Sequence, residues 1–220
     1  MNTKERTKRG YQIPLEGFED GISNSLFYDF LPYSALKEYI PEGTVYEDVA
    51  KNTPLLRLQQ IRSLSFLSYH GSQIHENYSL DLSHTRLDHS LVVAMTTEHI
   101  LRQNGFQQDK INIAIIAGLI HDIATPALGD ATKKVDRESL DEEEHWAEVM
   151  GEEGMKLLKR YETSQPEIDS IIKNQGILGQ TLDVADRITY VMKDTYAVIG
   201  PVEENKTYVN FYTNTQDLIE

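Results

Sequence analysis

The sequence predicts an all-α fold in which one domain is built as a bundle of helices. From Thr53 to Val198 the apolar residues return mainly at intervals of three and four, which is helical spacing. The alternating strand-like and helix-like runs that mark a doubly wound sheet are absent from the sequence. With 220 residues the chain is long enough for one large domain with a sizeable core.

Capping residues indicate where the helices begin and end. Thr53 followed by Pro54 is a typical N-cap and first-turn pair, and Thr85 caps a second helix that Gly105 ends. Asp109 is the cap expected for a third helix, which is apolar on almost all sides and therefore buried. The helices after the first are expected over residues 85–104, 110–124, 139–161, 166–173 and 179–198.

The same signals divide the predicted domain, residues 1–220, into three parts. Residues 1–50 contain repeated Gly and Pro and predict an irregular N-terminal segment with short helical pieces around 25–39. Residues 53–198 are the predicted helical core. Residues 201–220 predict a tail that forms a small hairpin, an edge strand or an irregular segment.

Composition excludes several classes of chemistry and partner. Lys and Arg number 21 against 35 Asp and Glu, so the formal charge is −14 and the surface repels long nucleic acid and anionic lipid. The absence of cysteine excludes disulfides, thiolate nucleophiles, zinc–thiolate sites and iron–sulfur clusters. No secretory signal and no membrane-length apolar run is evident, so we expect a cytoplasmic protein with no membrane partner.

Four polar residues fall within predicted helices that are otherwise apolar: His89, the pair His121-Asp122, and Asp186. An uncompensated charge in such surroundings costs several kcal/mol. Two imidazoles and two carboxylates that converge on one divalent ion would remove this cost together. Such mixed nitrogen and oxygen ligands suit Mn, Fe, Co, Ni or Zn, and suit Mg less well.

A structural interpretation of these residues stays open beside the metal interpretation. A single histidine on an apolar face is more often a hydrogen-bonded core residue than a ligand. Asp122 and Asp186 are equally compatible with buried salt bridges to Arg86 and Arg187. The joint pattern of a histidine on one helix, His-Asp on the next and an aspartate on a late helix favours the metal.

Five segments, in order, resemble the motifs of a known family: Thr53–Leu58 with Ile61 and Leu64, Thr85–Val93, Leu119–Ile123, Glu144-His145, and Leu182–Tyr190 with Asp194. This order is similar to that of the HD-domain phosphohydrolase superfamily. The residues within each segment most resemble the motifs of its deoxynucleoside triphosphate triphosphohydrolase (dGTPase-like) branch. The resemblance spans about residues 53–194. It implies an HD-domain helical bundle that releases nucleoside and triphosphate from a deoxynucleoside triphosphate.

The resemblance also implies roles for individual residues. It makes one divalent ion (Mn, Mg, Fe, Co, Ni or Zn) the cofactor and a nucleotide the substrate, and leaves a homo-oligomer open. The implied metal ligands are His89, His121, Asp122 and Asp186; the implied catalytic residues are His145, Arg86 and Asp130; the implied substrate contacts are Arg57, Arg187, Tyr190 and Asp194.

The sequence departs from the family pattern after the His-Asp pair. Thr125 and Asp130 stand where the family usually has two further histidines, and Ser63 stands where a glutamine is common. Threonine cannot transfer protons near neutral pH, whereas Asp130 can if its pKa is raised. Three alternatives therefore remain: a nucleotide-binding regulatory module with weak or no turnover, a phosphatase or phosphodiesterase of the same fold, and a helical scaffold for a protein partner.

An acidic tract covers residues 136–153, with nine acidic residues against one basic residue. We interpret it as a solvated helix face, with a second divalent-ion site near His145 as the alternative.

Overall fold

The computed structural model describes residues 40, 43–62, 85–129, 132, 136 and 140–199, with side chains as far as residue 191. Over these residues the fold is all-α, as predicted, and no strand occurs among them. Six α-helices and one 3₁₀ helix are present in this part of the chain: α1 (Val45–Asn52), the 3₁₀ helix (Pro54–Gln60), α2 (Arg86–Gln103), α3 (Gln108–Ile120), α4 (Glu142–Arg160), α5 (Gln165–Ile172) and α6 (Gly176–Ile199).

Helix α3 is the centre of the core. Every residue from Ile111 to Ile120 except Asn112 is buried, and Ile116, Leu119 and Ile120 have no exposed surface. Burying each such side chain stabilises the fold by about 1.5–3 kcal/mol. Helices α1, α2, α5 and α6 all pack against α3, which explains why its sequence is apolar on every side.

Gly118 allows α2 and α3 to approach each other closely. A Cβ atom at this position would lie 2.9 Å from the Ala94 Cα atom and 3.3 Å from its Cβ atom. Such a distance to backbone cannot be relieved by a side-chain rotation, so the helices would have to move apart. Because Gly118 is three residues before His121 and Ala94 is five residues after His89, this contact controls the separation of the two histidines.

We expect Gly118→Ala to lower the free energy of unfolding by about 1–3 kcal/mol, because the added methyl group overpacks the α2–α3 contact. Urea unfolding of the metal-free protein measures the change. Asn112→Ala on the same helix, which loses a surface hydrogen bond from Gln108, is the control and should change stability by at most about 0.5 kcal/mol. Equal stability of Gly118→Ala and the wild type would contradict the close contact.

The predicted caps are confirmed at the two threonines. The Thr85 hydroxyl accepts from the Asp88 amide at 3.2 Å, and the Asp88 carboxylate accepts from the Thr85 amide at 2.6 Å. These two bonds form a capping box at the start of α2. Earlier in the chain, the Thr53 hydroxyl accepts a hydrogen bond from the Leu55 amide and caps the segment that begins at Pro54. That segment is a 3₁₀ helix, and it ends at Gln60.

The predicted boundaries are wrong at α1, at both ends of α3 and at the start of α6. Helix α1 occupies the end of the segment predicted to be irregular, with Val45 and Val49 buried. Helix α3 has Gln107, and not Asp109, at its N-cap, and ends at Ile120 because residues 121–124 form a turn. The final helix begins at Gly176, three residues early.

A glycine interrupts α4 at one position. Gly151 has a φ of 65° and kinks the helix, which only glycine adopts without strain, whereas Gly154 is an ordinary buried helical residue.

Other predictions lie outside the described residues. These are the helical pieces around 25–39, the tail 201–220, and Ser63. The seven helices belong to one unit, Pro41–Val202, and the single domain of residues 1–220 stays a prediction. None of the helices described is long and apolar enough to cross a membrane.

Candidate metal centre

Three helices bring two histidines and an aspartate to one point. His89 lies in the first turn of α2, His121 is the C-cap of α3, and Asp186 lies in the middle of α6. Each offers one ligand atom, and these atoms all lie within 4.8 Å of one another. The close α2–α3 contact and the packing of α6 on α2 explain why residues nearly a hundred positions apart meet here.

The distances within this trio suit a shared cation. The Asp186 Oδ1 atom is 2.8 Å from His89 Nε2 and 4.0 Å from His121 Nε2. The two imidazole rings are 5.4 Å apart between centroids and are tilted by 58°. The His89 side chain is 6% exposed and the Asp186 side chain 42% exposed, so the trio is closed on the histidine side and open on the aspartate side.

His121 carries the clearest sign of a ligand. Its Nδ1 atom donates to the Gly118 carbonyl oxygen at 2.8 Å, since a carbonyl can only accept. In the neutral ring this leaves the lone pair on Nε2, which faces the trio. Nε2 is buried and has no hydrogen-bond partner among the residues that the structure describes. A buried nitrogen with an unused lone pair between His89 and Asp186 fits a metal ion well.

Asp122 lies beside the trio and holds an arginine. Its Oδ2 atom accepts from Arg86 Nη1 at 2.8 Å and is 3.9 Å and 3.7 Å from the Nε2 atoms of His89 and His121. The salt bridge between Asp122 and Arg86 that the sequence left open is therefore present. A role for Asp122 as a fourth metal ligand stays a prediction.

The other salt bridge that the sequence left open does not form. Asp186 contacts His89, and Arg187 instead donates through Nε to Asp183 Oδ1 at 2.9 Å on the same helix.

Burial and charge act in opposite directions on the acidic groups. Burial favours the protonated form of Asp122, but the neighbouring His121, Arg86 and His89 outweigh it and hold the pKa of Asp122 well below its usual range. Burial likewise opposes ionisation of Asp186, whose pKa is nevertheless lowered by the His89 hydrogen bond and by the charges of both histidines. Both carboxylates are therefore ionised at neutral pH, as metal ligands must be.

Burial lowers the pKa of His89, against the opposing effects of Asp186 and Asp122. As the pH falls through about 6.5, His89 is therefore protonated in the unfolded chain before it is protonated in the folded protein. We expect the metal-free protein to be most stable above this pH and to lose stability as the pH falls from about 6.5 to the folded-state pKa. The loss is about 1.4 kcal/mol for each unit between the two pKa values.

Urea unfolding between pH 8 and pH 5 checks this dependence. His89→Gln should show a flatter profile than the wild type. Burial lowers the pKa of His99 too, so His99→Gln is the comparison that separates the two contributions. Identical slopes for wild type and His89→Gln would contradict the assignment to His89.

The remaining predicted site residues are not part of the trio. Arg57 Nη1 donates to the Ile123 carbonyl oxygen at 2.6 Å. His145 is on α4, with Nδ1 3.5 Å from Glu148 Oε2. Arg187 and Tyr190 are on α6, with 74% of the Arg187 side chain and 54% of Tyr190 exposed.

Two of the predicted residues have no described side chain. Asp130 lies outside the described residues, and the structure describes the backbone of Asp194 in α6 but not its side chain. Thr125, which stands in place of a family histidine, is fully buried, and its hydroxyl has no hydrogen-bond partner among the described residues. The substrate and proton-transfer roles of all these residues stay predictions.

Sequence reasoning missed the backbone groups of the site. The Gly118 carbonyl accepts a hydrogen bond from His121 and orients its ring, and the Ile123 carbonyl accepts one from Arg57. The spacing of side chains in a sequence does not predict contacts with backbone carbonyls. The partial burial of His99, a residue of α2, was not predicted either.

The fold and the site together define a class: an all-helical bundle in which two histidines and an aspartate from three helices could hold one divalent ion. Residues 86–192, from the start of α2 into α6, match the family model described as HD domain. This match and the all-α bundle support the HD-domain superfamily for this chain, without distinguishing a branch. No curated protein and no solved structure was found to match.

Proposed function

We propose that the protein is a metal-dependent phosphohydrolase that acts on a nucleotide, with a deoxynucleoside triphosphate as the substrate and nucleoside and triphosphate as the products. HD domains are generally metal-dependent hydrolases, which supports the reaction class. The observation that carries the proposal is the buried Nε2 atom of His121, which lies beside His89 and Asp186 and has no hydrogen-bond partner in the described part of the chain.

The proposed ligands are His89, His121 and Asp186, with Asp122 as the fourth. A divalent ion held there would polarise a phosphate oxygen and lower the pKa of a water molecule. The exposed side of Asp186 leaves an approach for the substrate from the α6 face. The hydrogen bond that His121 Nδ1 donates to the Gly118 carbonyl oxygen orients the ring so that the Nε2 lone pair faces the proposed ion.

Arg86 supplies charge next to these ligands. One Nη1 hydrogen holds Asp122, and a guanidinium has five N–H donors, so we assign another of them to a phosphate oxygen of the substrate. Its planar group also keeps the Asp122 carboxylate ionised and fixed in direction. Arg86 would thus offset charge on the phosphates as their bond is broken.

The face of α6 that follows Asp186 is proposed to bind the rest of the nucleotide. Arg187 is largely exposed and paired only through Nε to Asp183 among the described contacts, so its outer nitrogens suit an anion. The half-exposed ring of Tyr190 suits packing on a sugar or base. Asp194, one turn further on, completes the proposed substrate contacts on α6, with His145 and Asp130 as the proposed proton donors.

A second candidate is a nucleotide-binding regulatory module with weak or no turnover. Thr125 favours it, because a fully buried hydroxyl replaces the imidazole with which the family would transfer a proton. A phosphatase or phosphodiesterase acting on another nucleotide is the remaining proposal of the enzyme class. The nucleotide partner, the exclusion of long nucleic acid, a homo-oligomeric state, a second ion and a cytoplasmic location also stay predictions.

The test is a product assay on metal-stripped protein. Purified protein is incubated with Mn²⁺ and, in separate reactions, with deoxy- and ribonucleoside triphosphates, monophosphates and a cyclic nucleotide, and products are separated by chromatography. Nucleoside plus triphosphate from a deoxynucleotide supports the proposal, and a chelator should stop the reaction. Nucleotide binding without any product would favour the regulatory module, and monophosphate or phosphate as the product would favour the phosphatase or phosphodiesterase.

A further inference from the structure

The short 3₁₀ helix Pro54–Gln60 is joined to the start of α2. The Ile61 carbonyl, directly after this helix, accepts from the Arg86 amide at 2.8 Å. Arg62 then forms an antiparallel bridge with Thr85, the N-cap of α2. The end of the 3₁₀ helix is therefore attached by backbone hydrogen bonds three residues before His89.

The same 3₁₀ helix also reaches the other histidine. Arg57 Nη1 donates to the Ile123 carbonyl oxygen at 2.6 Å, across 66 positions of sequence. Ile123 is fully buried and belongs to the HD turn, which we define as residues 121–124 and which contains His121 and Asp122. The short stretch from Arg57 to Arg62 thus contacts both of the elements that supply histidines.

The Arg57 contact satisfies a carbonyl of the turn that follows α3, where the helical hydrogen-bond pattern has ended. The HD turn closes only short bonds of its own, from the Ile123 amide to Ile120 and from the Thr125 amide to Asp122, each at 2.9 Å. In the described part of the chain no backbone amide donates to the Ile123 carbonyl. A guanidinium is suited to this buried acceptor.

We propose that Arg57 is a positioning residue, which holds the HD turn against the start of α2 so that His121 and Asp122 face His89. This role differs from the substrate contact that the sequence resemblance implies for Arg57. The effect of Arg57 on metal binding rests on the proposed metal site. The hydrogen bond from Arg57 to the HD turn, in contrast, is present in the metal-free chain. Loss of an outer partner of a metal ligand typically weakens metal binding about 10- to 100-fold.

The first arm of the test measures amide hydrogen exchange in the metal-free protein. Arg57→Met and Arg57→Lys are compared with the wild type at the Ile123 and Thr125 amides, which close the HD turn. Exchange at both should accelerate about tenfold or more in Arg57→Met, because a charged hydrogen bond to the turn is lost. Arg57→Lys retains a cationic donor, so its exchange rates should lie between those of the wild type and those of Arg57→Met. Should Arg57→Met fail to fold, Arg57→Lys still gives the comparison.

The second arm measures the affinity for Co²⁺ alone by calorimetry, together with the visible absorption of the bound ion. Arg57→Met should bind Co²⁺ about 10- to 100-fold more weakly and with an altered spectrum. Arg160→Met is the matched control, since the described contact of Arg160 is with Asp48 on α1 at 3.4 Å, and it should behave as the wild type in both arms.

The two arms separate the failure of this inference from the failure of the proposed function. Unchanged exchange in Arg57→Met overturns the positioning role, whatever the metal does. Unchanged Co²⁺ affinity and spectrum, with only a raised KM, would overturn it in favour of the substrate contact. A wild-type protein that binds no Co²⁺ overturns the proposed function, and the exchange arm then decides the role of Arg57 alone.

Discussion

Replacing His121 with alanine is expected to abolish both divalent-ion binding and phosphohydrolase activity. The imidazole supplies a lone pair that is already aimed at His89 and Asp186, and alanine supplies none. The loss of Mn²⁺ affinity should exceed the roughly 10- to 100-fold caused by losing an outer partner of a ligand. Calorimetric titration of metal-stripped protein measures the affinity, and the product assay measures turnover.

Two observations show whether this effect is specific. Metal-free His121→Ala should retain the helical circular dichroism of the wild type, because His121 is the C-cap of α3 and does not lie within a helix. His99→Ala, on the same helix as His89 but outside the trio, should bind Mn²⁺ as the wild type does. Mn²⁺ binding by His121→Ala as tight as that of the wild type would contradict the proposed metal site.

Asp122→Asn is expected to lower the free energy of unfolding of the metal-free protein by about 3 kcal/mol. The substitution removes the carboxylate that holds Arg86 at 2.8 Å, and both side chains are largely buried. Breaking a buried ion pair from one side is strongly destabilising because the remaining charge stays in a poorly solvated place. Urea unfolding measures the loss.

The chain provides a surface pair for comparison. Asp183→Asn breaks the contact with Arg187, whose side chain is 74% exposed, and should cost at most about 1 kcal/mol. The double variant Arg86→Met with Asp122→Asn should lose less than the sum of the two single variants, because no cation then remains beside the asparagine. A small change in the free energy of unfolding for Asp122→Asn, together with additive changes in the double variant, would show that the Arg86–Asp122 ion pair contributes little to stability.

Mn²⁺ separates the two roles of Asp122. A ligand role predicts that Mn²⁺ raises the melting temperature of the wild type more than that of Asp122→Asn, since binding to the folded state adds its free energy to stability. Equal increases would leave Asp122 as the partner of Arg86 alone.

Much of the helical core could be predicted because local rules dominate it. Thr85 and Asp88 form their capping box within one turn, and the sequence shows both residues. The apolar run of α3 predicts its burial, which the fold confirms. The errors occur where short-range signals are ambiguous: Asp109 resembles a cap, and the apolar residues after Ile120 continue the helical pattern although the chain already turns at His121.

The site was predictable in its side chains and not in its geometry. Polar residues inside apolar helices pointed to His89, His121 and Asp186, which the fold brings within 4.8 Å. The pairing of Asp122 with Arg86 depends on how α2 meets the HD turn, and the sequence left it open beside a pairing of Asp186 with Arg187 that does not form. The role of Gly118 depends on a helix crossing, and the contact of Arg57 with a carbonyl has no signature in side-chain spacing.

The most direct test is anomalous X-ray diffraction from crystals of the Mn²⁺-loaded protein, recorded at the manganese absorption edge. We predict one anomalous peak per chain within bonding distance of the Nε2 atoms of His89 and His121 and of the Asp186 carboxylate. The absence of a peak at this trio, or a peak held by other residues alone, would contradict the metal site on which the proposed function depends.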